Sequence, residues 1–205
     1  MHYLTSCLFA LLRCYYRIRY PRLDIGRGAI IVGRLRLVEG TRLTLGPHSV
    51  IRQSVRVGGG GLVTIGAHTR LNGDCWIGAH ELVTIADWCL ISDCCIFDHD
   101  YHNTAPRDRH LPPGPAATAA VHVGRNVWIG TRALVTKGSV IGADSVVGAG
   151  AVVRGAVPAG VVVIGNPAVV VKRFDDADRN GAVGPPPGVD GPPVSREPDL
   201  PGWSP

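Results

Sequence analysis

From Val123 an aliphatic residue returns at every sixth position: Val123, Ile129, Val135, Ile141, Val147 and Val153. A period of six matches neither the alternation of an ordinary strand nor the 3.6-residue turn of a helix. It is the signature of a chain wound into a parallel β-helix of hexapeptide repeats. Six residues then make one short strand and one corner, and three such units make a three-sided coil.

The period reaches further upstream in altered form. Ile25, Ile31 and Leu37 are followed by Leu45, Ile51 and Val57, then Ile65, Leu71 and Ile77, then Ile85, Ile91 and Phe97. Within each triplet the step is six and between triplets it is eight, so the coil here is twenty residues long. The extra residues, around Glu39-Gly40, Gly59-Gly60 and Ala79-His80, are expected at one common corner. Four residues after a key aliphatic comes a smaller side chain: Ala29, Ser49, Thr69, Cys89, Val127, Ala133, Ser139, Ser145 and Ala151. A narrow prism needs that alternation to fill its interior at native density. An antiparallel sandwich of short strands is the competing architecture, but nothing in it would hold phase over so many steps.

The 205 residues suffice for one domain with a real core. Only 18% of them are charged and 27 are glycine, which suits short strands and tight turns. The net charge of +5 comes nearly all from arginine, Lys137 and Lys172 being the only lysines. Such a balance fits a small anionic ligand. No aromatic-interleaved basic stripe is present, so nucleic acid is not an expected partner. Of the six cysteines, Cys75, Cys89 and Cys95 fall on small inward positions, and Cys7, Cys14 and Cys94 complete the set. Without a CxxC spacing, a reduced, cytoplasmic protein is expected.

The two ends differ in kind from the coil, which is expected over 21–173. Residues 1–20 read as an amphipathic helix, with Leu4, Cys7, Leu8, Leu11, Leu12 and Tyr15 on its apolar side and Arg13, Arg17 and Arg19 as a basic rim. The apolar run is too short to span a bilayer and lacks the features of a signal peptide. A cap on the open end of the coil is the favoured reading; weak association with the inner membrane surface is the other. In the stretch from Asp175 to Pro205, thirteen residues are Pro or Gly, and 174–205 is expected to be a disordered tail.

The hexad vanishes once, between Phe97 and Val121, in FDHDYHNTAPRDRHLPPGPAATAA. Long insertions in compact domains are usually functional. This loop, 98–121, opens with Asp98-His99-Asp100-Tyr101-His102. Histidine is the side chain best suited to taking a proton near neutral pH, and a neighbouring carboxylate can fix its tautomer.

After the loop, three motifs recur in known proteins: N-V-W-I-G from Asn126 to Gly130, G-A-G-A-V-V from Gly148 to Val153, and G-N-P-A from Gly165 to Ala168. Over roughly residues 25–173 the chain resembles hexapeptide-repeat O-acetyltransferases, such as the maltose and galactoside acetyltransferases and those that decorate bacterial polysaccharides. The resemblance implies an all-β, left-handed parallel β-helix with a short C-terminal helix after Asn166-Pro167. It also implies a homotrimer, with acetyl-CoA as acyl donor in the groove between prisms, a saccharide or glycoconjugate acceptor and no metal.

In that family a loop histidine acts as general base. In the maltose acetyltransferase pattern it follows the last key aliphatic by five positions, which from Phe97 favours His102. Relatives reading Asp-His-x-His keep His99 eligible. By the same resemblance, Asn72, Asp98 and Asp100 are candidate acceptor-binding residues. Thr131, Ala149, Arg154 and Lys172, with Gly130 and Gly148 nearby, are candidate cofactor-binding residues. Two positions depart from the family pattern: Arg154-Gly155 stands where Thr-Lys is usual, and Val169 where a basic residue is expected.

Other functions on the same coil fit less well. A γ-carbonic-anhydrase-like zinc site needs a histidine pair five apart, and no two histidines here have that spacing. A sugar nucleotidyltransferase or a serine acetyltransferase would need a further domain ahead of the coil. A scaffold whose loop has lost activity is the non-enzymatic alternative.

Overall fold

The computed structural model describes residues 2–38 and 40–175, with side chains from residue 8 onward. From Leu23 the chain winds through three sheets of seven, eight and six strands, and every pairing between successive coils is parallel. The first face carries the ladder Ile25, Leu45, Ile65, Ile85, Val123, Ile141 and Val157 in strict register. The second carries Ile31, Ile51, Leu71, Ile91, Ile129, Val147 and Val163. The common phase expected for the upstream coils is therefore present. The tail expected from 174 onward lies, past Asp175, outside the described residues.

All three ladders point inward, and the small residues between them are buried as well, from Ala29, Ser49, Thr69 and Cys89 to Ser139, Ser145 and Ala151. Their hydroxyls take up main-chain groups that the corners would leave unpaired. Thr69 Oγ1 donates to Ala86 C=O at 2.8 Å and accepts from Cys89 N–H at 3.0 Å. Ser145 Oγ donates to Pro158 C=O at 2.8 Å. A buried hydroxyl without such a partner would cost about 1–3 kcal/mol.

Two parts depart from the sequence-based expectation. On the third face the ladder runs Leu37, Val57, Ile77, Ile96, Val135 and Val153, so Ile96 and not Phe97 fills the inward position. The corner after Ile91 is one residue shorter than its counterpart after Leu71. For the same reason Cys94 is buried and Cys95 is only half-buried. The second departure is the expected C-terminal helix: Val169–Arg173 is a strand, which turns back antiparallel on Val161–Ile164. Three consecutive β-branched valines favour a pleated strand over a helix.

The helix His2–Arg19 docks on the first coil. Tyr16 is buried in the core; its hydroxyl donates to Gly33 C=O at 3.1 Å and accepts from Leu35 N–H at 3.3 Å. Arg17 donates to Ile25 C=O at 2.6 Å. These bonds close the open end of the prism, as the capping reading expects. No helix among the described residues is long and apolar enough to cross a membrane.

The corner between the first and second faces holds a feature that the sequence analysis missed. His48, His68 and Trp88 recur at twenty-residue intervals, all with positive φ between 57° and 64°. Their rings stack, His68 lying 5.1 Å from His48 and 4.2 Å from Trp88, which offsets the backbone strain of bulky residues in the left-handed region.

Candidate active site

The site grows out of the corner between the third and first faces. Along the third face Gly58 pairs with Gly78, and Gly78 with Phe97. Two successive coils thus present no side chain at this outward column. A Cβ on Gly78 would lie 2.7 Å from Phe97 Cδ1 and 2.9 Å from His99 Cε1. The glycines open a cavity of about 240 Å³, lined by Val38, Arg56, Gly58, Gly59, Trp76, Gly78, His80, His99 and Tyr101.

The extra corner residues expected around Ala79-His80 have a chemical use. The backbone N–H groups of His80, Glu81 and Leu82 all donate to the carboxylate of Asp98, each at 2.8 Å. Asp98 is fully buried, and its Oδ1 also meets Nδ1 of His99 at 3.0 Å. A carboxylate that already accepts three N–H groups is an acceptor for a fourth, so Nδ1 of His99 carries the proton and Nε2 the lone pair. The His99 side chain is 2% exposed, and Nε2 has no hydrogen-bond partner among the described residues. Its ring is clamped from two sides: His80 stacks on it at 3.6 Å with an 8° tilt, and Tyr101 meets it edge-on at 4.6 Å.

The neck of the loop sets this geometry. His99 bridges Thr118, Asp100 N–H donates to Ala117 C=O and Ala119 N–H donates to Asp98 C=O, both at 2.8 Å. Lys137 fastens the neck by pairing with Asp100 at 2.7 Å and donating to Ala116 C=O at 2.8 Å. Beyond it the loop is mostly exposed, and Asn103 Nδ2 gathers it by donating to Asp108 C=O at 2.8 Å and Leu111 C=O at 3.0 Å.

The other candidate residues are distributed over the coil. His102 is exposed on the loop and does not line the cavity. Its favoured spacing was counted from Phe97, which is not the inward residue of its coil. Asp100 is engaged with Lys137, while Asp98 is wholly occupied inside the chain. Asn72 ends the second-face strand Arg70–Asn72 and does not line the cavity within one chain. Gly130 with Thr131 and Gly148 with Ala149 occupy the corner between the second and third faces, one coil apart. Gly150 N–H donates to Thr131 C=O there at 2.9 Å. Thr131 and Ala149 are exposed, and a Cβ on Gly130 would lie 2.9 Å from the Ala149 nitrogen, so this wall is bare backbone. Arg154 is exposed after the strand Val152–Val153, and Lys172 is exposed on the last strand with its ammonium 5.1 Å from the Phe174 ring centre. The chain therefore brings His99, Asp98 and the unforeseen His80, Tyr101, Trp76 and Arg56 together; Gly130, Thr131, Gly148 and Ala149 lie on another corner, Arg154 on the same corner column in a later coil, and Lys172 on the last strand.

Two buried thiols are held protonated. Burial pushes the Cys89 thiol up to about 11, and the hydrogen bond that Cys94 donates to Cys75, with burial, holds Cys94 well above the ordinary thiol range. Among the described residues no three or more His, Cys, Asp or Glu side chains are grouped to hold a metal ion.

Comparison with known proteins agrees with this coil. Residues 120–155 match the model of the bacterial transferase hexapeptide, six repeats. The chain is 34% identical over 95 residues to WbbJ of Escherichia coli (strain K12), named as a candidate O-acetyl transferase of lipopolysaccharide biosynthesis. It is 41% identical over 90 residues to Rv3034c of Mycobacterium tuberculosis, named as a candidate acetyltransferase. These alignments take in 43% of this chain in each case and 48% and 27% of the relatives, so the match spans less than half the length of either. Among solved structures, the hexapeptide-repeat-containing acetyltransferase VCA0836 of Vibrio cholerae superposes with a TM-score of 0.58 at 28% identity, covering 67% of this chain and 76% of that one. By its repeat, its register and these relatives, the chain is similar to hexapeptide-repeat acetyltransferases, with residues 120–155 carrying the repeat of the bacterial transferase hexapeptide.

Proposed function

We propose that this chain is an acetyl-CoA-dependent O-acetyltransferase acting on a hydroxyl of a sugar or polysaccharide precursor, with His99 as general base. The observation that carries the reading is the state of His99: buried, locked in one tautomer by Asp98, and with Nε2 unpartnered in a ring that lines a cavity. A base held this way is preorganised to accept a proton without first leaving another partner. The acceptor hydroxyl gives its proton to Nε2 as its oxygen attacks the thioester carbonyl. Collapse of the tetrahedral intermediate breaks the carbon–sulfur bond, and the imidazolium returns the proton to the departing thiolate. The fixed Asp98 carboxylate stabilises the imidazolium between the two transfers.

The relatives named as acetyltransferases support the donor assignment. Within this reading, Thr131, Ala149, Gly130 and Gly148 form the wall for the pantetheine arm, with Arg154 and Lys172 supplying charge for the phosphates. A homotrimer would bring one prism's wall to the next prism's cavity. Supporting that assembly, Leu90 and Trp128, partners in register on the second face, are 44% and 52% exposed and make an apolar strip that Val146 continues on the next coil.

The test is thiol release from acetyl-CoA by the full chain across a panel of saccharides, with product detected by mass spectrometry. Acceptor-dependent release with an O-acetylated product is expected. CoA binding without transfer to any acceptor would favour a binding scaffold, and N-acetylated product alone would reassign the acceptor.

A further inference from the structure

The outward residues of the third face hold an electrostatic conflict. Arg36 on one coil pairs directly with Arg56 on the next, and Arg56 pairs with Trp76 on the one after. Like charges opposite one another on neighbouring strands are destabilising. Among the described residues neither arginine has a carboxylate within salt-bridge distance. Two acidic groups of the loop neck are committed elsewhere, Asp98 to three backbone amides and Asp100 to Lys137.

Arg56 is also the one cation lining the cavity that holds His99. Its guanidinium sits 4.8 Å above the Trp76 ring. Trp76 in turn meets Phe97 edge-on at 5.0 Å and lies 6.0 Å from Tyr101. A planar cation held at one end of an aromatic wall, with a general base at the other, fits a particular kind of acceptor. The guanidinium fork matches the two oxygens of a carboxylate or phosphate, and the aromatic wall matches the apolar face of a sugar ring.

We propose that the cavity is an acceptor subsite for an anionic saccharide, whose carboxylate or phosphate is bound by Arg56 with Arg36 behind it and whose ring lies against Trp76. The proposal rests on the acyltransfer reading above and narrows its substrate class. An anion between the two arginines offsets the repulsion between Arg36 and Arg56. It also fixes the ring by its charged substituent, so that a particular hydroxyl meets Nε2 of His99.

The experiment measures binding and turnover separately. Binding of D-glucuronate and D-galacturonate, and separately of D-glucose 1-phosphate and D-galactose 1-phosphate, is compared with that of neutral D-glucose and D-galactose by ligand-observed NMR, on wild type, Arg56→Gln and Arg36→Gln. Acetyl transfer to the same set is then followed by thiol release. Wild type is expected to prefer at least one class of anionic sugar over its neutral partner by roughly tenfold or more, the preference weakening with added salt. Arg56→Gln should shrink that preference to about threefold or less, through acceptor KM more than kcat, and Arg36→Gln should shrink it partially. The uronate and phosphate arms distinguish the two sources of charge. Equal binding of charged and neutral sugars by wild type would overturn the proposal, as would an Arg56→Gln effect confined to acetyl-CoA KM. Anion-selective binding without any acetyl transfer would sink the acyltransfer reading and leave the subsite standing.

Discussion

The coil that runs from Val83 to Val121 and the coil from Val123 to Ile141 share strand geometry and register, yet only the first buries a carboxylate and an imidazole. In the later coils the amides of the corner between the third and first faces are spent on the coil above: Thr136 N–H donates to Val153 C=O at 3.1 Å and Val140 N–H to Gly155 C=O at 3.2 Å. At the wider corner that leads into the earlier coil, the N–H groups of His80, Glu81 and Leu82 are instead aimed at one point, where Asp98 sits. A tight hexapeptide corner is structurally complete and chemically inert. The preceding wide corner is complete too, Gly61 N–H donating to Ala79 C=O and Leu62 N–H to Glu81 C=O, whereas above 80–82 the loop neck replaces the next corner and supplies Asp98 as acceptor together with the base that it orients.

The largest test of that contrast is Asp98→Ala. It removes a fully buried carboxylate and strands three part-buried amide donors, so a stability loss of roughly 2 kcal/mol or more is expected in urea titration. Loss of acetyl transfer should accompany it. Asp98→Asn, which keeps an acceptor oxygen, should recover part of the stability while leaving His99 without its anionic partner. A loss below about 1 kcal/mol for the alanine variant would mean that the wide corner closes without the loop.

The register of the fourth coil gives the next effect in size. Ile96→Ala removes a fully buried side chain and should cost about 2–5 kcal/mol. Phe97→Ala strips a half-buried ring that packs against Trp76 and Tyr101 of the cavity wall and should cost only about 1–2 kcal/mol while impairing turnover more. The reverse ranking by thermal or chemical denaturation would restore Phe97 as the inward residue.

The smallest effect concerns the stacked corner on the far side of the prism. Burial, then the nearby His48, lowers the His68 pKa below its ordinary 6.5, against a weaker opposing pull from Asp87. The folded state thus favours neutral His68. Its contribution to stability is present above pH 6.5 and lost as pH falls through that value. His68→Phe keeps a ring in the stack, at a backbone conformation that Trp88 already tolerates in the next coil. It should flatten the drop in melting temperature between pH 7 and pH 5, and an unchanged slope would contradict the assignment.

What the sequence made legible was whatever repeats. The period set the three ladders, the small inward positions and the corner of Gly59 and His80, because a one-residue error in any of them would turn a whole strand inside out. The fourth coil escaped because its residues come in interchangeable neighbours: Cys94 or Cys95 can serve as the small residue, and Ile96 or Phe97 as the large one. Only the length of the Ser92-Asp93 corner decides between them, and corner length is invisible in a hydrophobic pattern. That single residue displaced the count that favoured His102. For His80 the period gives only a corner position, since nothing in a period announces a stacking partner across coils. The His48, His68 and Trp88 stack was open to detection, as three rings at one phase of a twenty-residue coil.

The central claim is that the wide corner and the loop neck together make His99 the base. Its most direct measurement is thiol release by His99→Ala and His102→Ala side by side, each checked for retained β-structure by circular dichroism. The account predicts that His99→Ala lowers kcat by about 10²–10⁴, while His102→Ala stays within roughly tenfold of wild type. A collapse of activity in His102→Ala with His99→Ala still turning over would contradict it.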